Sequence, residues 1–261
     1  MTTIADTHVI QDQRVTLPVE IREAAVASAM FPVPARTAQA IIAYSGLELA
    51  QPLPGKAICS LAFIRYADGD LGPYHEFAVA FLVRPPGSPP LGGALDRLRD
   101  LKRIGAFIHW LPVNQTFTLE AGRSIWGFPK EIADIPIDLS GRIKRCAVRL
   151  DGRTALELAV RPGFPMPGGA GTPAAGVGPR QGAGGNTVDA YSCLDGVTRL
   201  TPWTMAPSGV RTRLGGATLR LGEHPVADEL RRLGLDGAHA LSTSTISRLA
   251  MSFAAATEVA R

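Results

Sequence analysis

The chain has 261 residues, 46% of them hydrophobic and 19% charged, so it has the length and apolar content for a packed core and is not a disordered chain. Lys and Arg number 27 against 23 Asp and Glu, a net charge of +4. The basic residues are interleaved with apolar ones, as on a solvated face, which argues against a nucleic-acid footprint.

The first 15 or so residues read as a flexible lead-in. Residues 18–30, PVEIREAAVASAM, suggest a helix: Pro18 suits an early position and alanines follow. Residues 37–45 suggest a second, with Gly46 as its stop. The pattern then changes to short runs rich in apolar and aromatic residues, at 57–66, 76–84 and 104–113, which read as strands. Residues 131–139 alternate, with Ile135, Ile137 and Leu139 on one face. Asp151-Gly152 between two strand-like runs marks a tight antiparallel hairpin, because both turn positions require positive φ. Residues 162–185 hold nine Gly and five Pro and read as a flexible surface insertion. Short strands follow at 197–203 and 216–222. A helix is expected over 224–235, with acids early and arginines late. Another is expected from Ser244, where Ile246, Leu249, Ala250 and Phe253 recur at helical spacing. The pattern predicts an α+β fold that is mostly antiparallel β.

Much chemistry is absent from the pattern. The chain has no GxSxG elbow, HExxH, Walker A or EF-hand sequence. Cys59, Cys146 and Cys193 lie far apart, which disfavours a disulfide framework or a thiolate zinc site. The five histidines are isolated, and His109, inside an apolar run, reads as a hydrogen-bonded core residue. No metal and no cofactor are expected. No apolar run approaches the ~18–20 residues of a membrane span, and no secretory signal is visible. The expected setting is cytoplasmic, with neither membrane nor nucleic acid as partner.

The informative segment is EAGRSIWGFPKEI, residues 120–132. Lys130 lies between the aromatics Trp126 and Phe128 and the apolar run 132–139. A lysine pressed against an apolar wall loses solvation, which favours the neutral amine. A neutral amine forms Schiff bases with carbonyl compounds.

Four segments carry a resemblance: LGPYHE (71–76), IGAFIHWLPVNQTFTLEAGR (104–123), GRSIWGFPKE (122–131) and ATLRLGEHPVADELRRLGL (217–235). In this order they resemble the acetoacetate decarboxylase superfamily, and the likeness spans about residues 35–255 without the Gly/Pro-rich stretch. The resemblance implies a closed, cone-like β-barrel with flanking strands and a few helices, formed by a single domain over 1–261 and assembled as a homo-oligomer. It implies that Lys130 is the Schiff-base nucleophile and Glu76 the pocket glutamate. Arg123, Glu131, Trp126, Phe128 and Tyr74 are the expected binding residues, with Trp110 and Phe77 as further apolar walls.

The chain also departs from the decarboxylases. They carry a second lysine beside the first, where this chain has Pro129 and Glu131. A carboxylate near an amine favours the ammonium, so desolvation alone would have to free Lys130. No acid stands near Leu61; Asp68 and Asp70 are closer to Glu76, and Arg36 is the nearest counterpart of a substrate-side arginine. The expected function is a Schiff-base lyase acting on a small keto or 2-oxo acid, either as decarboxylase or as aldolase-dehydratase. Glu131 as a proton shuttle tilts the choice towards the latter. The alternative is a non-catalytic barrel that binds a small molecule or a partner, with a vestigial lysine.

Overall fold

The computed structural model describes residues 6–88, 104–165, 180–182 and 185–259. Strands dominate. The longest are β3 (Val19–Pro34), β4 (Lys56–Gly69), β5 (Tyr74–Val83), β6 (Gly105–Val113), β13 (Gly185–Leu194), β14 (Val197–Leu214) and β16 (Ser242–Phe253). They pair in the order β14-β16-β3-β4-β5-β6-β13, and β13 pairs back with β14, so the sheet closes into a ring. Every contact in the ring is antiparallel except β6 with β13.

A ring of strands has an inside and an outside, and here both are dry. On β4 the even positions Ile58, Ala62, Ile64 and Tyr66 enter the core inside the ring. The odd positions Ala57, Cys59, Leu61 and Phe63 enter a second core outside it. On β5, Ala78, Ala80 and Leu82 face in, while Phe77, Val79, Phe81 and Val83 face out. Burial on both faces is why these runs are continuously apolar rather than alternating.

The outer core is covered by a small sheet, β15 (Ala217–Leu221), β10 (Arg153–Val160), β9 (Lys144–Leu150) and β8 (Ile137–Asp138), and by helices α1 (Ala35–Ile42) and α3 (Pro225–Arg232). The hairpin between β9 and β10 turns at Asp151 and Gly152, both at positive φ, as expected. Helix α1 runs into a 3-10 turn at Ala43–Ser45 and stops at Gly46, whose φ is +70°. All three cysteines are buried and free.

Three expectations fail. Of residues 18–30, all but Pro18 lie in β3, not in a helix: the strand pairs along its length with β16 on one side and β4 on the other. Two full ladders outweigh the intrinsic helix preference of its alanines, which is a weak prior. The segment from Ser244 is β16, also a strand. Its ladder with β3 shifts register between Ile246 and Leu249, so two successive inward residues stand three apart. A bulge thus imitates a helical period. The lead-in contains a hairpin, β1 (Thr7–Ile10) with β2 (Gln13–Thr16), which buries Ile10 and Val15. A helix without an expectation, α2 (Thr116–Trp126), follows β6. Of the Gly/Pro-rich stretch, 164–165 and 180–182 form short strands, and residues 166–179 and 183–184 lie outside the described residues.

His109 faces the outer core and links three elements. Tyr44 O–H donates to its Nδ1 at 2.9 Å, and its Nε2–H donates to Glu229 of α3 at 2.7 Å. The hydrogen bond from His109 holds the Glu229 carboxyl below its usual range. A lowered carboxyl pKa means stability that is complete above the unfolded value of about 4.5 and is lost as pH falls through the folded value. Glu229→Gln should therefore flatten the loss of melting temperature on acidification below about pH 4.5. It should also cost about 1 kcal/mol at neutral pH, or ~2–4 °C, allowing for partial solvent screening. Thermal melts of the two proteins across pH check this.

Candidate active site

The path from α2 to β7 (Lys130–Ile132) places the central lysine. The Gln115 side chain caps α2 at its start, accepting from Thr118 N–H. Gly127 ends it in the left-handed region at φ +64°, donating its N–H to Arg123 and Gly122 carbonyls. Phe128 N–H then returns to Gly122 O at 3.0 Å. This turn doubles the chain back, and β7 joins β6 in parallel, with Lys130 opposite Leu111. The Lys130 stem now crosses Gly122 so closely that a Cβ there would sit 2.5 Å from its Cδ. A side chain at 122 would push the lysine stem aside, so the glycine keeps the amine where it is.

Inside the ring, Lys130 Nζ lies 2.9 Å from Glu76 Oε2, with the two side chains 4% and 8% exposed. The other carboxylate oxygen, Glu76 Oε1, accepts from Tyr66 O–H at 2.9 Å. Tyr66 stacks on Tyr74 with ring centroids 4.1 Å apart, and Nζ lies 5.2 Å from the Tyr74 centroid, within cation–π range. Burial, with the nearby charge of Glu76, raises both phenols well above the usual tyrosine range. They stay protonated, and Tyr66 serves Glu76 as a donor. A buried ion pair is tolerated where its remaining polar atoms are satisfied, and the two tyrosines supply that.

Glu76 and Tyr66 form one wall of a narrow cavity of about 50 Å³. Aliphatic side chains from β3, β4, β5, β6, β14 and β16 make most of the rest. Three larger grooves lie on the surface, two around the β8–β9 turn and one beside α1; Lys130 lines none of them, and it adjoins the narrow cavity through its contact with Glu76.

The fold brings Lys130, Glu76 and Tyr74 together, and adds Tyr66. No motif singled out Tyr66, although its i+10 separation from Glu76 across one hairpin could have suggested the pairing. The other expected residues stand elsewhere. Glu131 points away from Lys130, as neighbours on a strand do, and accepts a hydrogen bond from Trp110 Nε1. Arg123 is exposed and reaches only the Lys130 carbonyl, at 3.5 Å. Trp126 and Phe128 are buried behind the lysine, where Trp126 stacks on Phe128, meets Phe253 edge-on and donates to Ala254 O. Trp110 and Phe77 pack against each other in the outer core, so they are not walls of the cavity. Asp68 and Asp70 bind Arg22 at the surface. Among the described residues, no group of three or more His, Cys, Asp or Glu side chains could hold a metal.

A family model, Acetoacetate decarboxylase (ADC), matches residues 10–254. Comparison with curated protein sequences finds no match. Among solved structures, the chain is similar to acetoacetate decarboxylase from Legionella pneumophila, at 17% identity and TM-score 0.65, over 93% of this chain and 87% of that one. It is similar to the enduracididine biosynthesis enzyme MppR complexed with pyruvate, at 15% identity and TM-score 0.63, over 94% and 92%. It is also similar to an acetoacetate decarboxylase-like enzyme from Sphingomonas wittichii RW1, at 13% identity and TM-score 0.62, over 98% and 100%. These structural likenesses concern the fold. The family model, which spans most of the sequence, carries the assignment: the chain belongs to the acetoacetate decarboxylase family.

Proposed function

We propose that the protein is a carbon–carbon lyase that forms a Schiff base between Lys130 and a small carbonyl compound. The observation that carries this reading is the lysine amine, buried at 4% exposure against one carboxylate beside a small apolar cavity. A lysine with only a structural role has little reason to be there, because burying an ammonium costs several kcal/mol before its partner offsets it. The printed names of the structural neighbours, a decarboxylase and an enzyme complexed with pyruvate, agree with carbonyl chemistry.

In this reading Glu76 takes a proton from Lys130, and the free amine adds to the substrate carbonyl. The carbinolamine then loses water, with the proton for that hydroxyl returned from Glu76. The resulting iminium withdraws the electron pair of a bond at the neighbouring carbon. If that bond joins a carboxylate, carbon dioxide leaves and an enamine remains. If it is a C–H bond, Glu76 takes the proton and the enamine adds to an aldehyde. Tyr66, donating to Glu76, steadies the carboxylate between these transfers. Glu131 has no part, since Trp110 holds it on the far side of the strand.

Borohydride added during incubation with acetoacetate, pyruvate and benzaldehyde should give one reduced adduct by intact mass, absent in Lys130→Ala. An unchanged mass with all of them between about pH 6 and 9 would overturn the imine. Carbon dioxide release separates decarboxylation from aldol chemistry. Glu76→Gln should lower turnover by about 10²–10⁴-fold, the usual size of a lost acid–base group. The double variant Lys130→Met, Glu76→Gln should melt no lower than either single variant, since it leaves no unpaired buried charge, yet form no adduct. Gly122→Ala should keep the circular dichroism spectrum and lower turnover about 10²-fold by displacing the amine.

A further inference from the structure

The larger of the two grooves around the β8–β9 turn gathers charge that the sequence scatters. It measures about 1010 Å³. Six basic side chains line it, from four separate stretches of chain: Arg65, Arg142, Lys144, Arg161, Arg211 and Arg213. The floor is the outer face of the ring. Arg65 of β4 stands opposite Ala25 of β3, and Arg211 of β14 stands opposite Thr245 of β16. From Arg211 the register runs through Thr245 and Ala27 to Phe63, so Arg65 and Arg211 flank the floor three strand spacings apart, roughly 14 Å. Small residues between them, Ala25, Thr245, Ser247 and Gly209, keep the floor low. Residues 139–144, around the β8–β9 turn, and residues 161–164, leaving β10, form the walls.

Elsewhere on the surface arginines meet carboxylates, as Arg22 meets Asp68 and Asp70 and Arg149 meets Asp134. In this groove the hydrogen bonds that hold the cations run to backbone carbonyls, which orient a charge without cancelling it. Arg211 donates Nε–H to Gly163 O at 3.0 Å, and Arg213 donates its own to Leu214 O at 3.3 Å. Each bond fixes the stem and leaves the terminal amino groups of the guanidinium, a fork that matches two phosphate oxygens. Lys144 Nζ donates to Leu139 O and Gly141 O and retains its third N–H. Asp138, at the start of the turn, uses Oδ1 to accept from Ser140 N–H, Ser140 O–H and Gly141 N–H. Like charges in a cleft sum their fields and draw anions in. Cations that converge from a floor and two walls fit a compact anion charged on several sides, and a linear phosphate chain carries several charges within a few ångströms. We infer that this groove binds a polyphosphate group, free or carried on a nucleoside, at a site separate from Lys130. With no anion bound the six cations repel one another, so removing some of them should not weaken the fold.

Inorganic triphosphate, ATP and AMP are titrated against the protein by calorimetry, in magnesium-free buffer at about 0.1 M salt. Triphosphate and ATP should bind, and AMP should bind at least about tenfold more weakly, because the cations read a chain of phosphates. ATP at least about fivefold tighter than triphosphate assigns a nucleotide as the source of the chain, and a smaller difference assigns the phosphate chain alone. The double variant Arg65→Ser, Arg142→Ser should weaken both at least about tenfold, with a melting temperature that is unchanged or raised in the absence of ligand. Arg211→Lys, which keeps the charge and removes the fork, should weaken both by about threefold or more. Failure of both triphosphate and ATP to bind, or binding unmoved by these substitutions, would overturn the inference. So would tighter binding of a single-stranded DNA oligonucleotide or of an oligoglutamate peptide than of triphosphate, which would make the groove a surface for nucleic acid or for an acidic protein segment. A double variant that sediments as a different oligomer would make the groove a contact between copies of the chain and overturn it as well.

Discussion

The burial of one ammonium against one carboxylate inside the ring is the constraint on which the rest depends. Lys130 and Glu76 come from elements far apart in sequence and are both almost fully removed from water. Neither would be tolerable there alone, because an unpaired buried charge is among the most destabilising features a fold can hold. The pair therefore demands accurate placement, and the surrounding structure provides it. Gly122 clears the path of the lysine stem. Gly127 lets the chain reverse after α2. Tyr66 satisfies the second carboxylate oxygen, and Tyr74, stacked on it, presents an aromatic face to the ammonium.

Accurate placement requires rigid walls, and double-sided burial supplies them. Strands β4, β5 and β6 carry side chains of the inner core on one face and of the outer core on the other. A shift of any of these strands would disturb two packed layers at once, so the positions of Tyr66, Glu76 and Leu111 are determined from both sides. The hydrogen-bonded chain Tyr44–His109–Glu229 adds a polar tie between the ring and the helix that covers it. The buried pair benefits from such a frame, since groups on rigid elements hold their geometry better than groups on loops.

The GRSIWGFPKE segment can now be explained residue by residue. Gly127 is a backbone requirement at positive φ, Gly122 leaves room for the lysine stem, Trp126 and Phe128 anchor the turn in the core, and Lys130 is the group brought to Glu76. Arg123 and Glu131 flank it and point to other partners. A short motif thus mixes residues that place the lysine with the lysine itself, and spacing alone cannot sort them.

Local pattern by itself determined the strands at 57–66, 76–84 and 104–113, the Asp151-Gly152 hairpin, helix α1 with its glycine stop, and Lys130 as the residue to watch, whereas Glu76 was marked out only by the resemblance to a family. These follow from short-range chemistry: apolar runs, positive-φ turn residues, and a lysine with no solvated surroundings. Only the tertiary structure decided that residues 19–30 are a strand, because that depends on two ladders to partners distant in the chain. It alone revealed that the spacing after Ser244 comes from a bulge. It also decided which aromatics face the cavity, since Trp110, Phe77 and Trp203 are indistinguishable until the ring assigns each an inner or outer face. Ser60 of β4 and Trp203 of β14, far apart in the chain, line one cavity only when the ring closes. A cavity is a property of surroundings, and surroundings exist only in three dimensions.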